Sequence, residues 1–452
     1  MKAIAASRAV RTSRAATACG LVALACSAPA FADDASVTSA DEAGLLARPH
    51  LFGNWGGARS ALASRGIDFH LSLTDELAYN LAGGDHRTGR AATQLAAGMT
   101  ADLDRLWGIR HTTFAFTMTD RFGRSLDADA HLGTSQQTQE IYGRGQTVWL
   151  TKLTLERTFL DGRLAIEAGR DSEGSDFDAA DCHFQNLSLC GPQGPNLYGN
   201  YWMSYPGSVW MTRATLKTSA ATYVKFGVYQ QNPRYYDASW EHHNAWKPIS
   251  PGGNTGVVLP LEFGWLPSAP GREGSYRIGA MLNTGGMPDL LEDAAGRSRA
   301  ATGAPGRQSS TSYNVWLAIN QRVSGTNGGE GLRVGLRAVT GDRATSVLDR
   351  QITLSFEYDR PFHRVGDRFG LGFAATHTSS REAEYQLAYN TLHPDDASAV
   401  GHGYEYTAEM FYSWQALPSV ALQPNLQVVL HPGGTNANRN VFVGGLRTTV
   451  TF

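Results

Sequence analysis

Two cysteines stand eight residues apart in "DCHFQNLSLCG" (residues 181–191), and they are the first places to look for chemistry. A thiol pair at that spacing can close a disulfide loop, help to hold a metal, or supply a nucleophile. The other polar constellations offer less. His242 and His243 follow Glu241 in "WEHHNAW", but no third ligand at a suitable spacing accompanies them. "GRGQ" (143–146) lacks the lysine and helix of a phosphate loop, and "DADA" (127–130) lacks the glycine and distal glutamate of a calcium loop. The G-x-S-x-G elbow of a serine hydrolase is absent as well. The sequence therefore points to a protein that needs no cofactor or metal and catalyses no reaction.

The chain's compartment decides among the readings of the cysteine pair. Residues 1–32 combine a basic start (Lys2, Arg8, Arg11, Arg14), a short apolar run and Ala30-Phe31-Ala32 before acidic residues, the pattern of a cleaved secretory signal. Of 39 basic and 41 acidic side chains, four basic ones lie in this leader, so the exported chain carries a net charge of −6, without long like-charge blocks. That argues against a nucleic-acid partner. Export allows disulfides to persist, and Cys182 and Cys190 read as a small disulfide loop rather than a metal site or catalytic thiol. No stretch of the exported chain approaches the ~20 apolar residues of a membrane helix.

The elements that must position these residues alternate with period two, as strands with two different faces do. "QITLSFEYDR" sets Ile352, Leu354, Phe356 and Tyr358 against Thr353, Ser355, Glu357 and Asp359. "GLRVGLRAV" opposes Leu332, Val334 and Leu336 to Arg333, Gly335 and Arg337, and "TSYNVWLAINQ" opposes Tyr313, Val315, Leu317 and Ile319 to Asn314, Trp316, Ala318 and Asn320. Further strands are expected over 111–121, 164–171, 221–230, 275–283, 369–376, 405–414 and 420–431. The final run places Phe442, Leu446, Val450 and Phe452 on one side. A soluble sandwich would need apolar residues where these strands carry Arg, Glu, Asp and Asn. Aromatics cluster near strand ends, as an interfacial girdle requires. Short turns such as 160–163 alternate with long irregular stretches at 172–205, 232–270 and 285–312. At ~24 residues per strand and its share of loop, residues 69–452 form an all-β, transmembrane antiparallel barrel of about sixteen strands with an aqueous lumen. Residues 33–68 form a periplasmic segment with a short helix over 55–65, Asn54 as its cap and Gly66 as its stop, serving as a lid on the barrel or a partial plug.

At this point the sequence resembles the carbohydrate-selective outer-membrane porins of the OprB type. The resemblance is carried by "LFGNWGGARSALASRGIDF", "QEIYGRGQ", "LERTFLDGRLAIEAGR", "CHFQNLSLCG", "YPGSVW", "GVYQQNPR" and "LQPNLQVVLHPGG", in that order. It implies an outer-membrane channel that lets glucose, other monosaccharides and short oligosaccharides diffuse passively. The surrounding partners would be lipid and lipopolysaccharide, with Phe452 as the signal to the barrel-assembly machinery and a homotrimer or a monomer as the assembly. It also implies that Cys182 and Cys190 clip a long loop that folds into the channel, and that Glu140 stands near the pore. The alternatives are a barrel enzyme, or an exported sugar-binding β protein without a pore.

A sugar is neutral, rich in hydroxyls, and apolar on the flat of its ring, so its path needs hydrogen-bonding side chains at the ring edge and aromatic rings beneath it. Alternation in "TTFAFTMTDR" turns Phe114, Phe116 and Met118 to lipid and Thr113, Thr117, Thr119 and Arg121 inward. Arg121 and Glu140 are thus the first pair of constriction candidates. Arg170, where a strand gives way to the long loop, is counted with them, as are Asp176 near the clip and Trp202 as the ring that stacks on a sugar. The acids Asp171, Glu173, Asp176, Asp178 and Asp181 would tilt such a pore toward cations or polyols.

Overall fold

The computed structural model describes residues 44–198, 202–269, 272–325 and 329–452. The leader, with Cys19 and Cys26, lies outside the described residues. The strands, in chain order, are β1 (Ile67–Ala82), β2 (Gly89–Asp102), β3 (Thr112–Gly123), β4 (Val148–Phe159), β5 (Leu164–Asp171), β6 (Val209–Lys217), β7 (Thr222–Gln231), β8 (Gly256–Trp265), β9 (Gly274–Asn283), β10 (Met287–Asp293), β11 (Gly306–Ser309), β12 (Ser312–Arg322), β13 (Gly331–Gly341), β14 (Leu348–Asp359), β15 (Arg368–Thr378), β16 (Tyr404–Leu417), β17 (Val420–Leu430) and β18 (Val441–Thr451). Barrel strands that follow one another in the chain pair antiparallel, β9 pairs with β12 across the separate β10–β11 hairpin, and β1 pairs with β18 to close a barrel of sixteen strands. Closure removes the two free edges that a bilayer would not tolerate. Among the described residues, no helix is long and apolar enough to cross a membrane.

Register turns the alternation into two surfaces. Between β13 and β14, Val334 faces Phe356 and Leu336 faces Leu354 on the outside, while Gly335 faces Ser355 and Arg333 faces Glu357 within. Outward side chains such as Ile352, Leu261 and Leu426 are half exposed to the surroundings, as a lipid-facing wall must be.

One expected irregular stretch is in fact partly wall. Residues 232–270 contain β8, whose Pro260 has no N–H to donate; the ladder to β7 runs through Val258 and Leu261 and skips the two residues between them. The stretch 285–312 holds the β10–β11 hairpin.

Neither lid nor plug describes the part of the N-terminal segment within the described residues, 44–66. Trp55–Gly57 forms a 3-10 turn leading into the helix Ala58–Ser64, and Asn54 Oδ1 accepts the Ser60 N–H at 3.0 Å. The Phe52 ring lies 4.9 Å from that of Phe452, and Trp55 lies 6.0 Å from Phe69. Phe69 and Phe452 both lie on outward-facing positions, so the segment packs against the outside of the rim at the short-turn end. Arg59 ties it there through the carbonyls of Phe69 and Phe452, at 2.8 and 2.9 Å.

The lumen is not simply wet. Phe177, Trp202, Met203, Trp316, Tyr229 and Met281 belong to a buried apolar cluster between the 172–208 loop and the β6–β12 wall. A second cluster seats Phe184 and Leu189 of that loop against Ala374 and Phe411. Gly372 makes this approach possible: a Cβ there would stand 2.8 Å from both Phe184 and Leu189.

Candidate functional site

Two loops enter the barrel and meet. The first, 124–147, follows β3; the second, 172–208, follows β5. Wall carboxylates hold both by accepting backbone N–H groups. Glu405 takes Ser135 (2.6 Å) and Gln136 (3.2 Å), Glu76 takes Ile141 (3.2 Å), and Glu409 takes Gln185 (2.8 Å) and Asn186 (2.7 Å). Carboxylates suit this task because one group can satisfy two donors that the loop cannot pair within itself. The loops also bond each other, Glu140 N–H to the Gln185 carbonyl and Leu187 N–H to that of Gln137, both at 2.9 Å.

A cavity of ≈700 Å³ opens at their junction, lined by Arg121, Glu140, Arg144, Arg447, Tyr205, Tyr236, Glu241, Gln94 and the sulfurs' residues Cys182 and Cys190. Arg121 donates from Nε to Gln94 Oε1 at 2.8 Å, lies 5.8 Å from the Tyr205 ring centre, and brings Nη2 within 3.9 Å of Glu140. Thr119 fixes Tyr205 through a hydroxyl pair at 2.9 Å. Arg447 bonds Glu140 at 3.3 Å, the Cys182 carbonyl at 3.2 Å and the Phe184 carbonyl at 3.0 Å. Arg144 covers the Tyr236 ring at 5.4 Å. The result is a ring of opposed charge with two tyrosine faces. Burial raises the Glu241 carboxyl above its usual range, a shift Arg144 partly offsets.

Cys182 and Cys190 are disulfide-bonded and face this cavity. Arg121 and Glu140 lie on its rim. The other three candidates lie elsewhere. Arg170 sits on the outward parity of β5, opposite Trp210, where the loop after β7 covers it; it donates to the carbonyls of Lys247 (2.8 Å) and Ser208 (2.5 Å). The parity signal failed there because the strand end is wrapped by loop rather than lipid. Asp176 is buried between the long loop and the wall, paired with Arg213 and accepting from Tyr229 at 2.5 Å and, through its carbonyl, from Lys225 at 2.6 Å. Trp202 is fully buried, its ring edge-on to Trp316 at 5.4 Å, so no ring face is left for a ligand.

The acid-rich stretch is also spent on anchoring. Asp171 pairs with Lys152 at 2.5 Å, Asp178 with Arg337 at 2.7 Å, and Glu173 accepts the Met203 N–H at 3.1 Å. Only Asp181 of the five is exposed. The tilt toward cations therefore loses its basis.

Arg447, Arg144 and Tyr205 escaped the sequence reading. Arg447 was within reach, since Leu446 faces outward and its neighbour must face in.

A closed sixteen-stranded barrel whose inturned loops leave a polar aperture defines a porin, a diffusion channel of the bacterial outer membrane. The sequence model of the family described as "Carbohydrate-selective porin, OprB family" matches residues 86–452. Porin B of Pseudomonas aeruginosa is 34% identical over 418 residues, 89% of this chain and 91% of that protein. A protein described as "Putative porin QuiX" from Acinetobacter baylyi is 29% identical over 425 residues, 90% of this chain and 93% of its own. The high-pH structure of Pseudomonas putida OprB superposes with a TM-score of 0.85 at 30% identity, covering 90% of this chain and 99% of that one. The chain belongs to the OprB family and is a carbohydrate-selective outer-membrane porin.

Proposed function

We propose that neutral monosaccharides, glucose among them, cross at the junction of the two loops, held at the ring edge by Arg121, Glu140 and Arg447 and along the ring face by Tyr205 and Tyr236, without any chemical step. The observation that carries this reading is the lining itself, which offers guanidinium donors, a carboxylate acceptor and aromatic faces within one cavity. Neutral hydroxyls can exchange partners among such groups, so binding stays weak enough for release. Arg170, Asp176 and Trp202 take no part in the path and position the long loop.

Liposomes carrying the protein would be swollen in isosmotic glucose, arabinose, maltose and an amino acid of similar size. Faster swelling in the monosaccharides than in the amino acid is expected, with the preference reduced by Arg121→Ala. Equal swelling in every solute would leave a general porin, and unchanged preference in Arg121→Ala would remove that residue from the path.

A further inference from the structure

The long loop divides the lumen. On its other side lies a second chamber of ≈610 Å³, facing the β9–β14 wall toward the short-turn end. Register builds its floor as three rows across the strands. Arg277, Ala318, Arg337 and Thr353 form the first; Ser275, Asn320, Gly335 and Ser355 the second; Arg322, Arg333 and Glu357 the third. Small polar residues thus fill the middle, with arginines at the corners. Arg277 and Arg337 stand ~10 Å apart across two strand spacings, and the first and third rows lie ~13 Å apart along a strand, the scale of one sugar ring with its substituents.

The four guanidiniums are not equivalent. Arg337 is committed to Asp178 at 2.7 Å, and Arg322 to Asp359 at 3.0 Å and Glu273 at 3.3 Å. Arg333 shares that same Asp359 at 3.3 Å, and so does Arg368 at 2.9 Å, so one carboxylate serves three cations. Arg277 donates to the Ala179 carbonyl and, among the described residues, makes no ion pair. Across the chamber, the exposed Asp181 likewise makes none.

We propose that this chamber is a subsite for an acidic monosaccharide, an aldonate or uronate, with its carboxylate on Arg277 and its hydroxyls over Ser275, Asn320 and Ser355. A planar guanidinium matches a carboxylate with paired N–H donors, and such charge-assisted bonds are about twice as strong as neutral ones. Asp181 opposes the same anion. It sets an upper limit on affinity, which a channel needs for release. The proposal rests on the reading that sugars pass the junction above, and Arg277 is not part of that junction.

The test is the block of ion current through single channels at low salt, where screening is weak, by sodium gluconate, glucose and sodium acetate. In the wild type, gluconate is expected to half-block at roughly a tenth of the glucose concentration, with acetate no better than glucose. Arg277→Gln should erase the gluconate advantage and leave glucose block as it was, whereas Asp181→Asn should sharpen gluconate block several-fold. Should Arg277→Gln not assemble, Arg277→Lys and Asp181→Asn decide, the former retaining part of the advantage. Gluconate no tighter than glucose, a full advantage kept in Arg277→Gln, or acetate as strong as gluconate would each overturn the subsite. Loss of glucose block and glucose swelling in the wild type would instead defeat the reading of the junction, and leave the comparison of gluconate with acetate intact.

Discussion

Residues 124–147 and 172–208 both turn into the lumen, yet different chemistry holds each there. The first is fixed by carboxylates and hydrogen bonds, from Glu405 and Glu76 of the wall and from Asp127, which accepts from Thr134 (2.7 Å) and twice from Thr138 (2.8 and 3.1 Å), and by a small aliphatic cluster of Leu126, Ala130 and Leu132 with Ala78, Val429, Val441 and Val443. The second adds a disulfide, a larger and aromatic-rich cluster around Trp202 and Trp316, and buried ion pairs through Asp176 and Asp178. The comparison separates two kinds of lumen charge. Those on or behind a loop neutralise one another and hold it; Arg121, Glu140 and Arg447 also pair with one another but line the cavity between the loops, where the proposed path runs. A polar residue inside a barrel is therefore as often an anchor as a contact.

Breaking the strongest anchor of the second loop should have the largest effect. Arg213 pairs with Glu167, Asp176 and, at 3.1 Å, Glu156. Arg213→Ala leaves buried carboxylates unmatched, at a cost of about 3–5 kcal/mol, and should displace the loop, raise conductance and lower the temperature at which the folded barrel loses its electrophoretic mobility. Next, Glu409→Ala strands the Gln185 and Asn186 N–H groups, at about 1–3 kcal/mol for each buried donor, and Glu405→Ala does the same to the first loop. Because the second loop also has a covalent closure and buried ion pairs, Glu405→Ala should raise current noise more than Glu409→Ala; the reverse order would deny the difference in anchoring. Replacing both Cys182 and Cys190 by Ser removes a closure worth about 2 kcal/mol on a chain-entropy account, and noise should rise with little change in mean conductance.

The smallest effect expected is one of pH. Burial pushes the Glu173 carboxyl up to about 8 from an ordinary 4.5. A displaced loop would ionise at the ordinary value, so the seated loop is favoured fully below about 4.5 and loses that advantage as pH climbs toward about 8. Channel noise should rise between about pH 5 and about pH 8 and lose this slope in Glu173→Gln; a fall in noise over the same interval would contradict it.

Much of the wall was legible because outward apolar residues recur every second position, and strand 164–171 matches β5 to the residue. β1, β2, β4, β6 and β8 were not among the expected strands. Asp75 interrupts the outward row of β1, where Thr93 bonds it at 2.6 Å; β2 is rich in alanine; β8 contains a proline. At the site, Arg121 was legible from parity alone, since β3 still pairs with β2 at and beyond that position and keeps its alternation there. Trp202 and Asp176 were not, because residues of an inturned loop carry no parity and their surroundings depend on which distant strands the loop meets. Arg170 shows the same limit at a strand end.

On the proposed path, the aperture lies between the two loops and is set by Glu140 and Arg447. Single-channel conductance and the glucose preference over an amino acid of similar size, measured together in a Glu140→Ala, Arg447→Ala double variant, test it most directly. The account predicts a larger conductance and a lost preference. Conductance and preference both equal to those of the unaltered protein would place the aperture elsewhere.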